Sequence, residues 1–121
     1  MRRITIKEYK AELKKQGVSR NNVCFVCPAC GTVQSADDLI KAGAGKKFED
    51  VRKYLGFSCV GRFTGMNQPP KVKGTQVGCD WTLGGLLGIH QLVVITPDDE
   101  SHPCFEIASP EQAQKHLEAK T

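Results

Sequence analysis

The 121-residue sequence predicts an α+β domain: a small antiparallel sheet with three to four short flanking helices. Three observations carry that prediction. Both ends of the chain hold capped segments with apolar residues at helical spacing, the middle holds short β-prone runs broken by Gly and Pro, and six cysteines punctuate the whole. A chain of this length reads as a single domain, 1–121, with a modest core that a metal would strengthen. Within it we distinguish an N-terminal helix at about 6–16, a cysteine-bearing core at about 21–95 and a C-terminal hairpin and helix at about 89–119.

Thr5 and Glu8 form a capping box ahead of Ile6, Tyr9 and Leu13, and Gly17 stands where a helix ends, so residues 6 to 16 are expected to be helical. The outer face carries Lys7, Lys10, Lys14 and Lys15, the ordinary make-up of a solvated helix face. Val23 to Val26 is β-prone, and "GTVQS" returns as the second arm of a hairpin. Ser35 with Asp38 opens a short helix that the glycines of "KAGAGKK" end. Those glycines do not make a phosphate loop, because Ile40 and Lys47 stand where a Walker sequence needs Gly and Ser or Thr.

Phe48, Val51, Tyr54 and Leu55 share a helical face, and "FSCVGRF" then reads as a strand holding Cys59. "GMNQPPKVKGTQVG" is an exposed loop, and in "CDWTLGGLLG" Trp81 and Leu83 are expected in the core. "IHQLVVIT" and "HPCFEIA" flank "PDDES" as a hairpin with a loop of about five residues. Ser109, Pro110 and Gln112 start a last helix at roughly 110 to 119.

No opening apolar run has signal-peptide length, and no segment approaches the roughly 20 apolar residues of a membrane span, so the expected compartment is the cytoplasm. There cysteines are metal ligands or free thiols rather than disulfides. Cys27 and Cys30, two residues apart around Pro28 and followed by Gly31, can grip one tetrahedral ion. Cys59 and Cys79 are the expected second pair, with 28 residues between Cys30 and Cys59 and 19 between Cys59 and Cys79, beside the turn-forming "SCVG" and "VGCD". The expected centre is one structural zinc on Cys27, Cys30, Cys59 and Cys79, in a zinc-ribbon-like sheet. His90 and Cys104 are the alternatives for the last place.

Cys24 falls on the opposite strand face from Cys27 and reads as a small buried hydrophobe. An iron–sulfur run would need a further cysteine where Val33 and Gln34 stand. A deaminase is not expected, because Pro28 falls between Cys27 and Cys30 rather than before them, as that enzyme's motif requires. A four-thiolate site also leaves no position for water, and no Ser–His–Asp or Cys–His arrangement emerges, so no catalytic residue is assigned.

Charge is unevenly spread. Up to Lys73 the chain carries fifteen of its seventeen Lys/Arg and only six of its thirteen Asp/Glu, and beyond that point the balance is acidic. Lys46, Lys47, Arg52 and Lys53 form one basic group, and Arg62, Lys71 and Lys73 another around the Pro/Gly loop. These are the expected contacts if nucleic acid is bound, with Phe57, Phe63 and Trp81 as stacking faces or, more simply, core residues.

The strings "FVCPACGTVQSADDLI", "GAGK", "YLGFSCVGR" and "WTLGGL" together resemble a family of small zinc-ribbon-like proteins of tailed phages, prophages and their bacterial hosts. The resemblance covers most of the chain and matches Cys27, Cys30, Cys59 and Cys79 to the family's cysteines, with His90 inside the pattern and Cys24 and Cys104 outside it. It implies an origin rather than a chemistry: an accessory protein of a size that commonly binds nucleic acid, a host enzyme or a defence complex that it blocks. With the closed metal site and the lack of catalytic groups, the expected function is a non-enzymatic binder of a host protein or complex, with nucleic-acid binding as the alternative and a zinc-dependent enzyme as the third reading. Neither a membrane nor a small-molecule substrate is expected.

Overall fold

The computed structural model describes residues 2–66, 68, 70–72, 76–83 and 92–119. Its ten main elements are β1 (Arg2–Thr5), α1 (Ile6–Lys15), β2 (Cys24–Val26), β3 (Val33–Ser35), α2 (Ala36–Lys41), α3 (Phe48–Val51), β4 (Leu92–Ile95), β5 (Ser101–Cys104), β6 (Glu106–Ile107) and α4 (Pro110–Glu118). The α+β class holds, but the strands divide into two three-stranded sheets. One is mixed, in the order β1-β4-β5, and the other is antiparallel, β3-β2-β6.

The helix starts follow local chemistry. Thr5 and Glu8 exchange hydrogen bonds of 3.0 and 3.2 Å at α1. The Ser35 N–H donates to Asp38 at 2.8 Å before α2, and Ser109 and Gln112 close a box around Pro110 at α4. The end of α1 is tied down by a residue of another kind. Gln16, 1% exposed, accepts from the Cys24 N–H and donates to the carbonyls of Cys24 and Ala108. One side-chain amide thereby joins a helix end, a strand and the corner before α4.

Two expectations need correction. "FSCVGRF" is not a strand: Ser58 forms an isolated bridge with Thr82, and Val60–Arg62 is a turn of 3-10 helix capped by Cys59. The chain turns there with Gly61 directly on the Cys79 backbone, too close for any side chain at that position. The opening residues, for which the sequence suggested no strand, form β1, which pairs in parallel with β4 from Arg2↔Leu92 to Thr5↔Ile95. Only Ile4 of that strand is buried, and Arg2 reaches out to Glu12 at 2.7 Å and to Glu106. The helix at Phe48 is also shorter than its apolar spacing suggested. After Val51 the chain continues in turns to Gly56, where φ is +73°, although Tyr54 and Leu55 still pack against the core.

The C-terminal hairpin forms as expected, with Thr96 N–H bonded to the Glu100 carbonyl across the five-residue loop. Its second strand then changes sheet. Phe105, fully buried between β5 and β6, donates its N–H to the Gly56 carbonyl at 2.8 Å and stacks its ring on Trp81 at 5.6 Å. The core built around it includes Phe25, Leu39, Val51, Leu83 and Leu92 together with Cys27, Cys30, Cys59 and Cys79. Among the described residues, no helix is long and apolar enough to cross a membrane. "IHQ" before β4 and the glycines after Leu83 lie outside the described residues.

Candidate metal centre

The first half of the centre is the β2–β3 turn. Cys27 N–H bonds the Thr32 carbonyl at 3.1 Å, Gly31 N–H bonds the Cys27 carbonyl at 2.8 Å, and Gly31 takes a φ of +78° that L side chains rarely adopt. This tight loop turns Cys27 and Cys30 to one side.

The second half is assembled from two loops. Cys59 caps the 3-10 turn and donates its N–H to the Trp81 carbonyl at 3.1 Å, while Cys79 follows Gly78 at φ +81°. The loops touch through glycine. A Cβ on Gly61 would lie 2.3 Å from the Cys79 nitrogen, and one on Gly78 would lie 2.8 Å from the Gly61 Cα. Only two bare backbones can approach so closely, and that approach sets Cys59 beside Cys79.

The four sulfurs are completely buried and lie within 4.8 Å of one another. Cys27 Sγ is 3.8 Å from Cys79 Sγ, and Cys30 Sγ is 3.7 Å from Cys59 Sγ. A tetrahedral ion with metal–sulfur bonds near 2.3 Å requires sulfurs about 3.8 Å apart, so these two edges already have the length that such an ion demands. All six cysteines are free of disulfides.

Polar groups around the sulfurs complete the site. Gln34, 1% exposed on β3, donates to Cys59 Sγ at 3.5 Å and to the Thr32 carbonyl, and accepts the Val60 N–H at 2.7 Å. It therefore links the two halves. Thr32 does the same, its hydroxyl hydrogen-bonded to Cys30 Sγ at 3.1 Å and accepting from the Gly78 N–H at 2.8 Å. The Cys79 N–H donates to Cys59 Sγ at 3.3 Å. Such partners orient ligands and stabilise thiolate charge.

The thiols titrate as a set. A hydrogen bond from Cys27, then one from Cys59, holds the Cys30 thiol far below its ordinary range, and the same sharing with Cys30 drives Cys27 far above it. Burial pushes Cys79 up to about 12. One sulfur thus starts as the anion, and an incoming cation must displace protons from Cys27 and Cys79.

The remaining cysteines stand apart. Cys24 is buried with Ala108 and Ala113 in a separate small cluster, as its strand position predicts. Cys104 is half-buried at the end of β5, outside the cluster of four, and hydrogen-bonded to Tyr9, with burial pushing its thiol up to about 12. His90 lies outside the described residues.

Lys46 and Lys47 sit at the start of α3, their backbone N–H groups held by Asp50, and Arg52 and Lys53 follow its end. Arg62 is an internal clamp as well as an exposed cation, donating to the Asp80 carbonyl at 2.7 Å next to Cys79. Lys71 is exposed, and Lys73 lies outside the described residues. Trp81 is buried and Phe63 packs on Tyr54 at 4.9 Å, which leaves Phe57, 43% exposed, as the surface ring of the three expected.

Sequence reasoning found the four converging cysteines but missed Thr32 and Gln34. Both stand in "CGTVQS", where a polar side chain on a β-prone arm looks ready for solvent. The readable signals were the glycines beside Cys59 and Cys79.

Neither the curated proteins nor the solved structures provide a significant match to this chain. The VVA0879-like family matches residues 5–108, a span that holds all four cysteines of the centre. The chain belongs to the VVA0879-like family.

Proposed function

We propose that this is a non-enzymatic binding protein whose fold is held by one structural zinc ion. The observation that carries this reading is the convergence of four fully buried thiols at tetrahedral spacing. Thiolates favour a soft or borderline cation, and four of them close the coordination sphere, leaving no position for a substrate or activated water. Zinc bound here supplies cross-linking, not chemistry at the metal. Cys27, Cys30, Cys59 and Cys79 would hold it, with Gln34 and Thr32 fixing the sulfurs.

From the sequence resemblance we assign the protein to the zinc-ribbon-like accessory proteins of phages and prophages. It would act in the bacterial cytoplasm by occupying a host macromolecule, a defence complex being the target class that suits such a protein. Metal analysis of the purified chain should return one zinc per chain, and the cobalt-substituted form should show the intense tetrahedral spectrum of four thiolates. A five-coordinate or water-bearing spectrum would overturn the structural role. Deleting the gene from its phage should reduce growth on a defended host, and unchanged growth on defended and undefended hosts alike would overturn the biological assignment.

A further inference from the structure

Between α1 and α3 lies an open cleft of about 430 Å³, a size common for ligand sites. Phe25, Phe48 and Leu55 form part of its apolar lining, and Lys10, Arg20 and Arg52 are its charged residues. Among the described residues, no carboxylate lines it. That sets it apart from the cleft beside β6, where Glu8, Glu12 and Glu106 outnumber Arg2 and Lys15. The Arg20 guanidinium lies over the Phe48 ring, 4.3 Å from its centroid. Its ion pair with Glu49 is long, at 3.4 Å, and exposed on both sides, so an incoming anion can replace that partner at little cost. Lys46 and Lys47 immediately precede Phe48 and extend the positive charge along the chain.

A ring with a flat cation against it, set in an apolar recess with cations at its edge, combines the two features that single strands require. The exposed outer side of the Arg20 guanidinium, backed by the Phe48 ring, receives an unstacked base, and the cations receive the phosphates on either side. We propose that this cleft binds single-stranded nucleic acid, seating one base on the outer side of the stacked Arg20–Phe48 pair and holding the flanking phosphates on Lys10, Arg20 and Arg52. A duplex keeps its bases stacked and cannot offer one to the recess. The inference deepens the binding-protein reading above and rests on it.

The test uses the full zinc-loaded chain with a fluorescent oligothymidylate of about 20 nucleotides and a duplex of equal length, followed by anisotropy. The strand should bind more tightly than the duplex. Three phosphate contacts predict that affinity falls about tenfold to twentyfold between roughly 50 and 200 mM salt. Arg20→Ala with Arg52→Ala, both exposed positions, should weaken binding about tenfold or more, as should Phe48→Leu, which keeps an apolar side chain but removes the ring that backs Arg20. Lys115→Ala on the far helix should change nothing. Equal affinity for strand and duplex, no binding by the folded zinc-loaded chain, or undiminished binding by the Arg20/Arg52 variant would overturn the inference. Zinc content and circular dichroism of the same samples separate that outcome from failure of the metal centre itself.

Discussion

Gln34 shows how much one buried side chain can organise. It accepts the Val60 N–H and donates to Cys59 Sγ, so truncation orphans a buried donor and removes a thiolate partner together. Gln34→Ala should cost about 2–3 kcal/mol in urea unfolding of the metal-loaded protein and weaken metal affinity about tenfold to a hundredfold in chelator competition. Gly61 makes the same point through absence of a side chain. A methyl group there would collide with the Cys79 backbone at 2.3 Å, and no flexible atom is present to yield. Gly61→Ala should therefore abolish stoichiometric metal binding, whereas Gly65→Ala, where a Cβ meets open space, should bear only the strain of its positive φ and keep the metal. Metal titrations of the two variants distinguish these results. Neither Gln34 nor the contact of Gly61 with Gly78 could be assigned from sequence, because each role depends on a partner supplied by a distant loop.

Elements were legible where their signals are local. The boxes at Thr5, Ser35 and Ser109 each close within three residues, and all three helices start where those residues stand. Ser109→Ala should lower stability by about 1 kcal/mol, seen as a lower midpoint in thermal unfolding, with metal content unchanged because α4 contributes no ligand. The β2–β3 and β4–β5 hairpins were legible for the same reason, since turn residues and strand partners are neighbours in sequence. β1 was not. Its one buried residue, Ile4, gives no alternation to read, and its partner β4 lies near the other end of the chain. The run around Cys59 misled in the opposite direction, β-prone in composition but turned where Gly61 lies on the Cys79 backbone.

At the scale of the whole molecule, the candidate metal centre gathers segments that lie far apart in the chain. The β2–β3 turn, the 3-10 turn at Val60–Arg62 and the loop through Cys79 meet at the four sulfurs. Without an ion, four buried sulfurs would remain packed at the centre of the core with no bridge between them, leaving the loops to the hydrogen bonds of Gln34 and Thr32 and the Gly61–Gly78 contact. Chelation, or Cys27→Ala, should therefore largely unfold the protein, read as loss of the near-ultraviolet circular dichroism of Trp81 and its neighbours. Reloading should release the protons held by Cys27 and Cys79 at neutral pH, so metal affinity must fall as pH falls. Calorimetry in buffers of different ionisation enthalpy measures that release.

The sequence by itself determined the helix starts, the two hairpins, the basic first half and the choice of four cysteines, because each of these is written in residue type and short spacing. The tertiary structure alone decided that Cys59 sits in a turn, that β1 closes a second sheet, that Gln34 and Thr32 bind the two halves of the centre, and that Arg20 lies on Phe48. Those features depend on contacts between segments far apart in the chain, where close backbone approach and burial outweigh local propensity.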